Sequence, residues 1–200
     1  IAQGGDGDGY SEGGNHFLHA MRRNIDITYL VHNNKVYGLT KGQASPTSDQ
    51  GFVTKTTPRG AHSPACNPLM LAVASDCSFV ARGFAGEIDH LADLIKAGMQ
   101  HDGFALIDIL QPCVSFNRVN TFKWYSERVY KIDADSPYDA TNRQDAFQKT
   151  QEWGDKIPIG VIYRNQRPTL EEQIPAIADQ PLVAQQTDPK ELIELLENFK

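Results

Sequence analysis

The sequence predicts an α/β protein built on a doubly wound, mostly parallel sheet. Short apolar runs, Ile25 to Val31 and Phe104 to Leu110 among them, alternate along the chain with stretches of helical periodicity. A glycine-rich turn, Gly4-Gly5-Asp6-Gly7-Asp8-Gly9, follows three extended residues, Ile1 to Gln3, and precedes a helix-like segment. Asp6 and Asn34 lie 28 positions apart, about what one helix plus one parallel strand consumes. That spacing puts both at the carboxyl ends of neighbouring strands, where open α/β sheets bind their ligands.

In order along the chain, Gly13 to Arg23 carries Phe17, Leu18 and Met21 at helical spacing, with Arg22-Arg23 near the end where cations are favoured. Ile25 to His32 reads as a buried strand. Asn34 to Ser48 is a polar loop that continues irregularly to about Pro64, and a loop of this length in a compact domain beside a proposed site reads as functional. Asn67-Pro68 starts a helix carrying Leu69, Leu71, Ala72 and Val73. Ser78 to Ala81 reads as a strand. Gly86 to Gln100 reads as an amphipathic helix with Ile88, Leu91, Ala92, Ile95 and Met99 on one face. Phe104 to Leu110 is the next buried strand, followed by Gln111-Pro112-Cys113. Asn142 to Trp153 is predicted helical, Ile157 to Tyr163 a strand, and Asp188 to Phe199 a capped terminal helix. The strand that carries the glycine turn should be central and about five to six residues long, so it is expected to continue upstream of Ile1.

Two hundred residues, 40% hydrophobic and 22% charged, suit one domain spanning 1–200, whose part from 111 to 200 is expected to carry partner-contacting loops. The net charge of −6 and the lack of a basic run argue against nucleic acid as a main partner. No apolar run approaches membrane-spanning length. Three widely spaced cysteines, Cys66, Cys77 and Cys113, make no disulfide framework and fit a reducing cytoplasm.

The chemistry starts at the glycine turn. Glycines let backbone N–H groups approach a ligand, and the following helix N-terminus suits a phosphate. Asp6 supplies an anionic oxygen, and Asn33 and Asn34 supply neutral ones, a ligand set suited to Mg²⁺ that also takes phosphate oxygens. The dinucleotide fingerprint fails at Tyr10 or Glu12, and the EF-hand pattern fails at Tyr10, Ser11 and Phe17. The competing reading of Asn33-Asn34 is an Asx-type turn after a strand. His16 can donate to a phosphate or a substrate carboxylate, or serve as a structural histidine. Thr40 and Lys41 offer a hydroxyl and an ammonium to a phosphate or anionic substrate, or are plain loop residues. Cys113 alone reads as a small core residue, and no C-x-x-C occurs to predict a cluster within the chain.

The string GGDGDGYSEGGNHFLHAMRRNIDITYLVHNNKVYGLTKGQASPTS, with ILQPCVSFN (Ile109 to Asn117) and RPTLEE (Arg167 to Glu172), resembles the β subunit of 2-oxoacid:ferredoxin oxidoreductases. The resemblance implies a thiamine diphosphate-binding fold and oxidative decarboxylation of a 2-oxoacid to acyl-coenzyme A, with electrons passed to ferredoxin. It implies Mg²⁺ held by Asp6, the Asn34 side chain and the Val36 carbonyl, with Gly5 and Gly7 at the diphosphate. Asn33 is either a further cofactor contact or a shaper of the turn. Leu39 would pack against the thiazolium, beside Thr40 and Lys41. Cys113 would be the fourth ligand of a [4Fe–4S] cluster whose other cysteines lie upstream. The glutamate that activates the cofactor would come from elsewhere, since Glu12 belongs to the phosphate side. The partners implied are an α subunit, in a heterodimer that completes the site, together with ferredoxin, a 2-oxoacid and coenzyme A. QPCVSFN and NNKVYGLTKGQ argue against a non-redox thiamine enzyme.

Overall fold

Six strands form one sheet in the computed structural model, which describes residues 1–132, 137–186 and 189–199. The strands are β1 (Ala2–Gly5), β2 (Thr28–Asn33), β3 (Phe79–Phe84), β4 (Ala105–Leu110), β5 (Val129–Lys131) and β6 (Ile157–Arg164), in the spatial order β1-β2-β4-β3-β6-β5. All neighbours pair parallel except β3 and β6, so the sheet is mixed but mostly parallel. β1 stands at the edge of this sheet, not at its centre, and its residues are exposed or half-buried.

Successive side chains of a strand face opposite sides, and both sides are covered. On one face Val31, Val80 and Leu106 pack with α1 (Gly14–Arg23), α2 (Pro68–Ala74) and α5 (Arg143–Lys149), through Phe17, Met21, Leu69, Val73 and Ala146. On the other, Leu30, Ala81 and Ile107 pack against α3 (Ile88–Met99) through Leu94. This is the doubly wound arrangement that the alternation of elements predicts.

Several boundaries and faces differ from expectation. The strand after α2 starts one residue later than the expected Ser78 to Ala81 and runs three residues past Ala81, and every residue of β3 is buried. The buried side of α3 is centred on Leu94 and Gly98, while Ile88 and Met99 are exposed. A Cβ on Gly98 would stand 3.0 Å from Ile107 Cδ1, so this helix lies close against the sheet there. The segment predicted helical from Asn142 to Trp153 forms only α5, capped by the Asn142 side chain at Gln144 N and Asp145 N. Trp153 leaves the helix to stack near Trp124 and Tyr125, both on the short helix α4 (Phe122–Ser126), which the sequence did not suggest. The terminal helix is α6 (Pro189–Glu197); its expected cap, Asp188, lies outside the described residues.

The RPTLEE segment has a clear structural task. Arg167 donates to the carbonyls of Asp76 at 2.6 Å and of Arg22, at the end of α1, at 3.0 Å, a favourable place for a cation. Asn24, left-handed at φ 52°, ends α1 and donates to the carbonyls of Arg167 and Pro168.

Candidate cofactor site

The glycine run is not an open loop. The chain turns directly from β1 into helical conformation at Asp6 and passes through a π-helical turn, Asp8–Glu12, into α1. Gly7 has ordinary right-handed helical angles, φ −62° and ψ −49°. The reason for glycine here is space: a Cβ on Gly7 would stand 2.1 Å from Cε1 of Tyr37, and one on Gly9 2.4 Å from the Tyr29 hydroxyl. Gly5 donates its N–H to Asp8 Oδ2 at 3.1 Å.

Asp6 follows β1 and Asn34 follows β2, so both stand at the carboxyl ends of neighbouring parallel strands, as their spacing predicts. Asp6 is 1% exposed. Two hydroxyls converge on its Oδ2, Ser45 Oγ at 2.5 Å and Thr47 Oγ1 at 2.6 Å. Thr47 Oγ1 also lies 2.9 Å from Asn33 Oδ1, and Asn33 Nδ2 donates to Asp108 Oδ1 at 3.0 Å. Tyr10 donates its phenol to the same Asp108 oxygen at 2.9 Å. Burial pushes the carboxyls of both Asp6 and Asp108 above the ordinary aspartate range, and the hydrogen bonds oppose that shift.

Asn34 accepts the N–H of Val36 on its Oδ1 at 3.0 Å, which is the Asx-type turn. That bond takes one of the two lone pairs of the amide oxygen. Lys35, left-handed at φ 59°, turns its side chain inward to pair with Asp49 at 2.8 Å, with its ammonium 4.4 Å from the Trp153 ring. Desolvation lowers the Lys35 pKa, and Asp49 counters this. Lys35 and Asp49 join Arg82 and Asp108, register partners on β3 and β4, in lining a cavity of about 170 Å³.

The other candidates stand apart from this buried cluster. Leu39 is 99% exposed, and Thr40 and Lys41 are exposed on a hairpin closed by the Tyr37–Gln43 bridge. His16 is exposed on the first turn of α1 and lines a separate groove with Ala2, Phe17, Tyr29 and Phe104. Cys113 is half-buried and accepts the Phe116 N–H on its sulfur at 3.4 Å. Its loop is tied to the asparagine pair: Gln111 N donates to the Asn33 carbonyl at 2.9 Å, and Asn117 Nδ2 to the Asn34 carbonyl at 3.2 Å. Cys66 is exposed, and Cys77 is buried with its thiol pushed up to about 12 by desolvation. No group of three or more His, Cys, Asp or Glu side chains suited to a metal occurs among the described residues.

Sequence reading did not single out Ser45, Thr47, Arg82 and Asp108. Asp108 carried a signal, as the one charged residue in the apolar run Phe104 to Leu110. Ser45 and Thr47 carried none beyond their place in a long loop.

A buried carboxylate thus stands beside two carboxamides at the carboxyl ends of parallel strands, the place where open α/β sheets bind ligands. Residues 1–109 match the family model described as thiamine pyrophosphate enzyme, C-terminal TPP binding domain. Residues 113–179 match the model of the C-terminal part of the pyruvate ferredoxin oxidoreductase beta subunit. The chain belongs to the thiamine pyrophosphate enzyme family through this TPP-binding domain.

Within that family it is similar to 2-oxoacid:ferredoxin oxidoreductase β subunits. It is 45% identical to the subunit of a Sulfolobus species over 97% of this chain and 66% of that protein. It is 45% identical to that of Saccharolobus solfataricus over 86% of this chain and 60% of the relative. In structure it resembles a 2-oxoglutarate:ferredoxin oxidoreductase from Magnetococcus marinus, solved with 2-oxoglutarate, coenzyme A and succinyl-CoA bound. The TM-score is 0.85 and the identity 37%, over 96% of this chain and 65% of that one. The chain thus spans about two thirds or less of the length of these relatives.

Proposed function

We propose that this chain is the cofactor-carrying part of a 2-oxoacid:ferredoxin oxidoreductase β subunit. In the cytoplasm, with an α subunit, it would convert a 2-oxoacid and coenzyme A to acyl-coenzyme A and carbon dioxide, and pass two electrons to ferredoxin. The observation that carries this reading is the buried Asp6 carboxylate held beside Asn33-Asn34 in a chain whose relatives are such subunits. Thiamine diphosphate, when bound, supplies the electron sink for decarboxylation.

The residues present fit a magnesium diphosphate. Desolvation is the largest influence on the Asp6 carboxyl, so a cation beside it would relieve the cost of keeping it charged. The Asn34 amide oxygen keeps a lone pair beyond its turn, and the Val36 carbonyl follows it on the same bend. Asp6, Asn34 and Val36 are therefore assigned to the metal, Gly5 and Gly7 to the diphosphate, and Asn33 to the shaping of the site. Leu39, Thr40 and Lys41, exposed on their hairpin, are assigned to the reacting end, to be covered by the α subunit. His16 is kept as a substrate-side candidate only. Cys113 fits one ligand of a [4Fe–4S] cluster, because an N–H donated to a sulfur is the kind of contact that tunes a ligating thiolate.

The test is the full-length subunit purified with its partner and offered a panel of 2-oxoacids. Coenzyme A-dependent reduction of ferredoxin, with iron lost on Cys113→Ser, is expected. A colourless protein that decarboxylates without reducing ferredoxin would overturn the redox part and leave the thiamine part.

A further inference from the structure

The loop of residues 45–48 is tied to three separate places in the candidate site. Ser45 and Thr47 reach Asp6 Oδ2 across about forty residues of chain. Thr47 also meets Asn33 Oδ1. Ser48 accepts the Ser45 N–H at 2.8 Å and donates to the Lys35 carbonyl at 2.7 Å, one residue past Asn34. All three hydroxyl-bearing residues are buried. The contacts are therefore not those of a solvated turn, where Ser and Thr bond only their own backbone.

The direction of these bonds is informative. Both hydroxyls are spent on Oδ2 of Asp6, and no side-chain hydrogen bond reaches Oδ1 among the described residues. The torsion about the Cβ–Cγ bond of a carboxylate is broad and soft, so these hydroxyls, together with the backbone N–H groups of Asn34 and Asp6 that also reach the carboxylate, set its rotation. Asn33 stands beside this pair: its amide nitrogen is committed to Asp108, which turns its oxygen toward Thr47. The Thr47 hydroxyl has a single proton, so it donates either to Asp6 or to Asn33, and it is the proton on Asp6 that, with Ser45, holds the carboxylate.

We propose that Thr47 and Ser45 are positioning residues for the metal-binding carboxylate of Asp6, holding its Oδ2 so that Oδ1 is presented to the cation. This rests on the assignment of Asp6 to a divalent metal made above. A positioning shell of this kind typically changes metal affinity by ten- to a hundred-fold when one member is lost.

The test uses the full-length subunit assembled with its partner, titrated with Mn²⁺ in the presence of thiamine diphosphate, free Mn²⁺ being read by electron paramagnetic resonance. Thr47→Val keeps the shape and removes the donor, and is expected to weaken Mn²⁺ binding about ten-fold. Thr47→Ser restores the hydroxyl and is expected to bind like the parent. Ser45→Ala is the second variant, expected to weaken binding in the same direction should Thr47→Val fail to fold. Asp6→Asn is the control for the underlying reading. If Asp6→Asn binds Mn²⁺ as the parent does, the metal assignment itself fails. If Asp6→Asn loses binding while folded Thr47→Val and Ser45→Ala keep it, or if Thr47→Ser falls as far as Thr47→Val, the positioning inference fails alone.

Discussion

The two halves of the candidate site are built differently. Asp6, Asn33 and Asp108 are buried, and each has side-chain hydrogen-bond partners within the chain. On the hairpin of residues 37–43 and the loop after Cys113, apolar side chains stand in solvent: Leu39, Val114, Phe116 and Val119 are all exposed. Burying polar groups is costly unless each is satisfied, so the first region is self-sufficient. A cluster of exposed apolar side chains marks a surface meant for something else. On the proposed function, the buried region would hold the diphosphate end and the exposed one would be left for the α subunit to complete.

The sharpest way to break that comparison is at Asp6. Asp6→Asn keeps an acceptor for Ser45 and Thr47, and is expected to weaken magnesium-dependent thiamine diphosphate binding on the order of 100-fold. The same variant should gain stability in metal-free buffer. The folded-state pKa of Asp6 is raised above its ordinary 3.8, so ionising it in the fold costs stability, and that cost is absent below 3.8 and complete above the raised value. Urea unfolding with a chelator should find parent and variant alike near pH 3.5 and the variant ahead at pH 7.5. A parent that is the more stable at pH 7.5 would show that the carboxylate is not strained by burial.

A second prediction separates packing from flexibility in the glycine run. Gly7→Ala should destabilise by about 2 kcal/mol, because its Cβ runs into the Tyr37 ring. Gly14→Ala meets nothing within 4 Å and should be neutral or slightly stabilising at the start of α1. Equal effects in thermal unfolding would contradict the steric account.

The exposed half should behave in the opposite sense. Leu39→Ser is expected to change the stability of the chain by less than about 0.5 kcal/mol, while lowering kcat/KM of the assembled enzyme. A large loss of stability would mean that Leu39 packs within this chain. The smallest effect concerns thiols. Iodoacetamide mapping should label Cys66 and, in iron-free protein, Cys113, but label Cys77 only after unfolding, since burial holds its thiol at about 12.

Much of the fold was legible because its strands are apolar runs and its helices carry caps, Asn67 and Asn142 among them, that do not depend on distant contacts. The predicted face of α3 holds for Leu91 and Ile95, which pack on the sheet, but it is rotated toward Leu94 and Gly98 because the helix lies over β3, β4 and β2 there, leaving Ile88 and Met99 in solvent. The short β5 and α4 left no pattern long enough to register. In the candidate site, the placement of Asp6 and Asn34 at the ends of neighbouring parallel strands could be read from their spacing, since one helical segment and one strand separate them. Ser45 and Thr47 could not, because nothing local in an irregular loop says that its hydroxyls will meet a residue about forty positions earlier. The glycines read as a turn whose backbone can approach a ligand; within the chain Gly7 and Gly9 also make room for the Tyr37 ring and the Tyr29 hydroxyl, a contact made at a distance.

The most direct test of the central claim is calorimetry of thiamine diphosphate binding to the full-length subunit with its partner, with Mg²⁺ and then with a chelator, in the parent and in Asn34→Ala. Binding that needs Mg²⁺ and is lost in Asn34→Ala is the predicted result. Equal affinity with and without the metal, or an unchanged affinity in Asn34→Ala, would contradict it.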